Sequence, residues 1–158
     1  MCNQYLFSIY EVLYDEVFSY SDFSNRVKMQ RSIYLLQELG VPIGNYGFMW
    51  YKHGLYSQQL QCDMRCEDDN IDIYSKISKD NKESINTLRS IIQHEERREY
   101  SMSYWVECLA SLHHLRNYVL RYGAGLEGTI EELEVRLPHL NNHQINIMAY
   151  KLVEEMFV

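Results

Sequence analysis

The sequence predicts a mainly α-helical fold, a compact single-domain helical bundle with a small β-hairpin or wing. Apolar residues recur at spacings of three and four in several segments, whereas one short aromatic segment alternates with a period of two. The chain has 158 residues, of which 46% are hydrophobic, enough for one domain with a substantial core. We therefore expect a single domain over residues 1–158, with a winged-helix-like part at 1–66 and C-terminal helices over 80–158.

The first two helices are predicted at residues 3–18 and 24–39. In the second helix, Met29, Ile33 and Leu36 share one face, and the neighbouring apolar residues widen that face. Gly40 followed by Pro42 is typical of a helix end. Three residues are candidate N-caps for the second helix: Asp22, Ser24 and Asn25.

An aromatic extended segment follows the second helix. Tyr46, Phe48 and Trp50 alternate with other residues, so we expect their side chains to point inward from a short strand. Gly54 allows a turn with positive φ, and Ser57 is a suitable N-cap for a short helix ending near Arg65. This segment is the predicted hairpin or wing.

Four helices are predicted in the C-terminal part. The first opens with a capping box formed by Asp80 and Glu83. The second, over 102–122, has the apolar residues expected of a central core helix. The third opens with a second capping box, Thr129 and Glu132, and ends at Pro138. The last is capped by Asn141 or Asn142.

Charge and composition exclude several functional classes. The formal net charge is −7, and neither end nor the middle of the chain is basic, which disfavours a dedicated nucleic-acid binder. The N-terminal residues lack the features of a signal peptide, and no apolar run approaches the length of a membrane span. We therefore expect a cytoplasmic protein without membrane association, whose four cysteines are reduced thiols.

Two side-chain groupings suggest site chemistry, and each has a simpler interpretation. Cys62 with Cys66 and His139 with His143 are i, i+4 pairs, but their arrangement is not that of a zinc knuckle. Cys108, His113 and His114 share a predicted helix at spacings that point the histidines away from the cysteine. We expect no metal, no cofactor and no catalytic residues, and thus a protein that is not an enzyme.

Two clusters are the candidate partner-binding residues. One is the basic triplet Arg26, Lys28 and Arg31 near a helix N-terminus, where an anion or an acidic partner is favoured. The alternative is that Lys28 and Arg31 form only the solvent edge of the helix. The other cluster lies in and around the turn, where tyrosine beside a cation is typical of an interface: Tyr51, Lys52, His53 and Tyr56.

The runs VKMQRSIYLLQ and GNYGFMWYKHGLYSQQL, which span about 35 residues with the short gap between them, also carry a resemblance. They resemble the YwgA-like family of uncharacterised bacterial proteins in the helix ending Y-L-L-Q, the aromatic strand and the glycine turn. More distantly, the chain resembles the Panacea (SocA-like) antitoxin domain. Leu55 stands where those patterns have proline. The resemblance implies a bacterial, antitoxin-like protein whose partner is a toxin or a defence-linked effector protein.

The sequence thus predicts a protein-binding or regulatory module, with a homodimer as a further compatible assembly. The alternative is a winged-helix-type DNA-binding transcriptional regulator, in which the helix from Ser57 to Arg65 enters the groove. That helix carries Asp63, which would repel phosphates, so the DNA-binding alternative ranks second.

Overall fold

The computed structural model describes residues 3–66, 73–97 and 99–157. Within these ranges the chain forms seven α-helices and one two-stranded antiparallel sheet, so the predicted fold class is confirmed. The elements are α1 (Tyr5–Tyr14), α2 (Phe23–Glu38), β1 (Met49–Tyr51), β2 (Gly54–Tyr56), α3 (Gln58–Met64), α4 (Lys79–Ile92), α5 (Met102–His114), α6 (Gly125–Arg136) and α7 (His143–Met156).

Side-chain caps fix the starts of several helices where the sequence predicts them. The Asp22 carboxylate accepts a hydrogen bond from the Asn25 backbone N–H at the start of α2. Ser57 caps α3 through the Leu60 N–H, and Asn142 caps α7 through the Ile145 N–H. These polar side chains satisfy backbone donors that have no partner inside the helix.

Four predicted boundaries are wrong. Helix α1 covers Tyr5–Tyr14 and ends before the predicted residue 18, because Asp15 adopts a left-handed conformation with φ +55°. Helix α4 is capped by Ser78 rather than by Asp80, which instead lies in the first turn. Helix α6 begins at Gly125, so Thr129 lies inside it and its hydroxyl donates to the Gly125 carbonyl at 2.6 Å. Helix α5 stops at His114, and a π-helical turn continues the chain to Val119. A side-chain cap sets the start of α4, since the Ser78 hydroxyl accepts from the Asn81 N–H.

The hairpin is shorter than the aromatic alternation suggests. Strand β1 covers three residues, with Trp50 opposite Leu55 and Met49 opposite Tyr56. Tyr46 and Phe48 precede it, because the Tyr46 backbone pairs with the Gln37 side chain instead of with a strand. The predicted inward pattern is nevertheless present, since Tyr46 is buried, Phe48 and Trp50 are half-buried, and the alternate residues are exposed.

The core is built around α5, as the sequence predicts for this helix. Every residue from Trp105 to His113 is buried. The helix packs against α2 on one side and α7 on the other, with further contacts to α4, α6 and β2. The Trp105 indole N–H donates to the Ile91 carbonyl at 3.0 Å, which ties α5 to α4. A polar side chain on this helix is therefore held rigidly.

Candidate functional site

A cleft of about 920 Å³ opens where the N-terminal half of α2, the hairpin, the start of α5 and the segment after α6 meet. Its volume is within the range of ligand-binding sites in proteins. Charged and aromatic side chains dominate the lining. The lining includes Phe23, Arg26, Arg31, Tyr51, Lys52, His53, Gly54, Tyr56, Tyr104, Glu107, Arg136 and His139.

An arginine and a glutamate from two different helices form the floor of the cleft. The Arg31 Nη2 donates to the Glu107 Oε2 at 3.4 Å and to the His53 carbonyl at 3.2 Å. Both side chains are more than nine-tenths buried. Burial lowers the pKa of the Arg31 guanidinium, and the Glu107 charge opposes that shift. The floor therefore holds a buried arginine–glutamate ion pair.

A histidine extends this pair toward the mouth of the cleft. The second carboxylate oxygen of Glu107 is 2.5 Å from the His139 Nε2, and the His139 ring lies 4.9 Å from the Tyr104 ring. Both carboxylate oxygens of Glu107 are therefore engaged. The carboxylate thereby orients both Arg31 and His139.

The Arg31 guanidinium is incompletely satisfied. Its Nε–H is buried and has no hydrogen-bond partner among the residues that the structure describes, although the same side chain lines the cleft. Buried polar atoms in native proteins are nearly always paired, because an unmade hydrogen bond costs about 1–3 kcal/mol. The Arg31 guanidinium therefore retains an unused donor, which is itself buried.

Further cations and exposed rings surround the mouth. Lys52 is exposed at the hairpin tip, while Arg26 and Arg136 lie at the two sides. The Arg26 guanidinium lies 5.5 Å from the centre of the Phe23 ring and 5.2 Å from that of Tyr20, and the Arg136 guanidinium lies 5.1 Å from that of Trp50. The exposed fractions of Phe23, Tyr51 and Tyr104 are 67%, 47% and 43%.

Two glutamines on α2 hold the hairpin at the cleft. The Gln30 side chain accepts from the Ser57 N–H at 2.9 Å and donates to the Ser57 carbonyl at 3.0 Å. Gln37 forms the same pair of bonds with Tyr46, at 2.7 and 3.1 Å. Gln30 and Gln37 lie on one face of α2 because they are seven residues apart. Through them, α2 holds both ends of the segment from Tyr46 to Ser57, which contains the hairpin.

One glycine keeps the cleft open above the floor. Gly54 has φ +103°, a conformation that other residues rarely adopt. A Cβ at this position would lie 3.4 Å from the Arg31 Nη2 and 3.8 Å from the Glu107 Oε2. The absence of a side chain therefore leaves room next to the buried charges.

The structure brings six of the seven predicted partner-binding residues to this cleft: Arg26, Arg31, Tyr51, Lys52, His53 and Tyr56. Their role in binding a partner remains a prediction. Arg31 is not at the solvent edge of its helix, which was the alternative interpretation, because its side chain is buried against α5.

Lys28 is the predicted binding residue that does not reach the cleft. It is buried, and its ammonium pairs with the Glu16 carboxylate at 3.0 Å. The same ammonium lies over the rings of Tyr14 and Tyr10, at 4.9 and 5.7 Å. The basic triplet is therefore split, and Lys28 joins α2 to the end of α1.

Sequence reasoning missed Glu107, Arg136 and Tyr104 as cleft residues, and it considered His139 only as a metal ligand. Glu107 had a detectable sequence feature, since it is the one charged residue in the buried run WVECLA. A charge within an apolar helix face requires a partner. The presence of Arg136, Tyr104 and His139 in one cleft depends on how the end of α6 and the segment after it fold back onto α5.

The cysteines and histidines considered for metal or nucleophilic chemistry lie in other settings. His139 contacts Glu107, and the His143 Nδ1 is 3.0 Å from the Glu134 carboxylate. The Cys108 thiol donates to the Asn146 Oδ1 at 3.3 Å, and burial raises the pKa of this thiol. Cys62 lies in α3, and Cys66 follows it. Among the described residues, no three metal-ligating side chains converge.

The sequence matches no protein-family model, no curated protein and no solved structure. In the part of the chain that the structure describes, none of the helices has the length and apolar character needed to cross a membrane. Function is therefore inferred from the cleft itself.

Proposed function

We propose that the protein is a non-enzymatic protein-binding or regulatory module that captures a segment of a partner protein in the cleft. One observation carries this proposal. Four of the chain's 15 Lys and Arg residues line a single cleft together with exposed aromatic rings, in a molecule whose net charge is −7. Arginine and tyrosine are enriched at protein interfaces, and a local positive site within an acidic protein selects an acidic partner surface.

The resemblance to the YwgA-like and Panacea patterns suggests the kind of partner. An antitoxin-like role in the bacterial cytoplasm would make that partner a toxin or a defence-linked effector protein. The glutamine-held hairpin supports such a role, because it presents Tyr51, Lys52 and His53 on a fixed turn. A fixed binding surface loses little conformational entropy when the partner docks.

DNA binding through α3 is the less supported alternative. This helix has only seven residues, and it carries Asp63. The nearby Arg65 Nε donates to the Tyr20 hydroxyl at 3.0 Å, so this cation is engaged within the protein. A recognition helix needs free cations and polar groups that reach base edges.

Site-specific photo-crosslinking in the source cell tests the proposal. A benzoylphenylalanine at Tyr51 should crosslink to one predominant protein, whereas the same group at Tyr122, which is 62% exposed and outside the cleft, should not. Lys52→Glu should weaken the crosslink because it reverses a charge at the mouth. Tyr56→Ala should also weaken it while changing the free energy of unfolding by about 1 kcal/mol or less.

Equal crosslinking from positions 51 and 122 would contradict the proposal, as would full retention of the product in both variants. Thermal melts of the two variants serve as the folding control. A crosslink to a second copy of this chain would make the cleft a homodimer interface instead.

A further inference from the structure

The unpartnered Nε–H of Arg31 is the unexplained polar group in the cleft. The Arg31 side chain is only 8% exposed, and its contact with Glu107 is a single long bond at 3.4 Å. A guanidinium binds a carboxylate best through two parallel N–H donors, which include Nε–H. The internal pair does not use this arrangement, so the guanidinium retains capacity for a second acceptor.

The surroundings of this donor define the ligand. The Arg31 charge lies at the bottom of the cleft, and Gly54 leaves space beside it. Lys52, Arg26 and Arg136 also line the cleft and favour further negative charge, although the Arg136 Nε already pairs with the Glu132 carboxylate at 2.8 Å and Arg26 donates to the Tyr20 carbonyl. The exposed rings of Phe23, Tyr51 and Tyr104 also line the cleft, where they offer stacking surfaces to an aromatic side chain of the ligand.

We propose that Arg31 forms a carboxylate subsite, in which an Asp or Glu side chain of an acidic partner segment binds while a neighbouring aromatic residue packs on the cleft wall. This inference rests on the proposed function and specifies the chemistry that the cleft recognises. The bound carboxylate pairs with the Arg31 guanidinium where this side chain lines the cleft, and additional acidic residues of the segment face the other cations of the lining.

A carboxylate suits the floor better than a phosphate does. Glu107 places a negative charge within 3.4 Å of Arg31 and would repel any incoming anion. A carboxylate carries one charge, whereas a phosphate monoester carries roughly −1.5 to −2 at neutral pH, so it meets about twice the repulsion. The planar guanidinium edge also matches the planar carboxylate.

Peptide titrations followed by proton–nitrogen correlation spectra test the subsite on the full chain. The probes are N-acetyl-Glu-Phe-Glu-amide and its neutral counterpart N-acetyl-Gln-Phe-Gln-amide. The acidic peptide should shift the Arg31 Nε–H resonance and the backbone amides of residues 51–56 in a saturable manner. It should bind about tenfold tighter than the neutral peptide, the factor that one charge-assisted hydrogen bond supplies.

Matched variants separate the subsite from general charge attraction. Arg31→Lys keeps the charge but removes the planar donor edge, and it should weaken binding of the acidic peptide about tenfold. Arg116→Lys makes the same change at a partly buried arginine outside the cleft, and it should leave the affinity unchanged. If Arg31→Lys fails to fold, the Nε–H shift in the unaltered protein decides the question.

Three outcomes would overturn the subsite. The first is equal binding of the acidic and neutral peptides, and the second is a saturable shift that omits the Arg31 Nε–H. The third is tighter binding of inorganic phosphate or of N-acetylphenylalanine than of the acidic peptide, which would indicate a phosphate or a chain terminus as the ligand. Crosslinking from position 51 that persists alongside any of these results would leave the proposed function standing.

Discussion

At the scale of single residues, His113 shows how burial fixes a protonation state. Its ring is buried, with Nδ1 2.8 Å from the Tyr34 hydroxyl and Nε2 3.2 Å from the Asn117 side-chain nitrogen. Burial, with smaller contributions from the charges of Arg116 and His114, lowers the pKa of His113 from 6.5 to about 4. The folded protein therefore holds this imidazole neutral.

This shift predicts a loss of stability in acid. Below pH 6.5 the unfolded chain binds a proton at His113 that the folded protein excludes until about pH 4, so the free energy of unfolding falls as the pH falls through this window. Between about pH 7 and about pH 4.5 the contribution of His113 should be roughly 2–3 kcal/mol. Urea unfolding at the two pH values measures it.

The His113→Gln variant is the control, because glutamine can form both hydrogen bonds and does not titrate. Other groups also reduce stability in acid. One is Asp15, whose pKa is lowered by its hydrogen bond from Arg89. Such groups act equally in both proteins. An identical decline in the two proteins would show that His113 does not carry the effect.

At the scale of elements, α2 determines where the hairpin lies. The two strands contain only three residues each and pair with no other strand. An isolated hairpin of this size is marginal in water. The Gln30 and Gln37 side chains compensate by pairing with backbone groups of Ser57 and Tyr46.

Gln30→Ala should therefore destabilise the hairpin more than Gln37→Ala does. Gln30 and Ser57 are both buried, so the alanine leaves the Ser57 backbone N–H unpaired at a cost of about 1–3 kcal/mol, whereas the Ser57 carbonyl keeps its bond from the Gln61 N–H at 3.1 Å. Gln37 is half-buried, and water can replace part of its bonds. Amide hydrogen exchange of residues 54–57 reports the local opening.

The expected result is faster exchange at these amides in Gln30→Ala, with slow exchange retained in the centre of α5. Exchange that accelerates uniformly over both regions would mean that the hairpin and the core unfold as one unit. The hydrogen bonds between Gln30 and Ser57 would then have no separate local role.

At the scale of the whole molecule, charge is distributed unevenly. The chain is acidic overall, yet Arg26, Arg31, Lys52 and Arg136 meet at one cleft. A duplex DNA ligand needs many cations along an extended surface, because affinity comes from neutralising several phosphates. A single cationic cleft within an acidic surface suits a short acidic segment instead.

We therefore expect no salt-sensitive binding to duplex DNA at physiological ionic strength. Fluorescence anisotropy of a labelled duplex, recorded at about 50 and about 200 mM salt, is the measurement, since duplex binders lose affinity steeply over this range. Sub-micromolar affinity that falls with the logarithm of salt concentration would favour the winged-helix DNA-binding alternative.

The sequence by itself determined the helical fold class, the hairpin and the cap at Ser57, and it limited the caps of α2 and α7 to a few candidates that include Asp22 and Asn142. These features depend on residues within a few positions of one another, because helical periodicity and capping are local interactions. The aromatic alternation from Tyr46 to Trp50 was readable for the same reason. The α6 start was not, because Thr129 and Glu132 also satisfy a capping pattern inside a helix.

Only the tertiary structure decided which of these residues form a site. Arg31 and Glu107 are 76 positions apart, and Glu107 and His139 are 32 apart, so no local pattern pairs them. Lys28 and Arg31 have similar sequence surroundings, yet one pairs with Glu16 and the other lines the cleft. The packing of α2 against α5 makes this distinction, because it determines which buried cation meets which carboxylate.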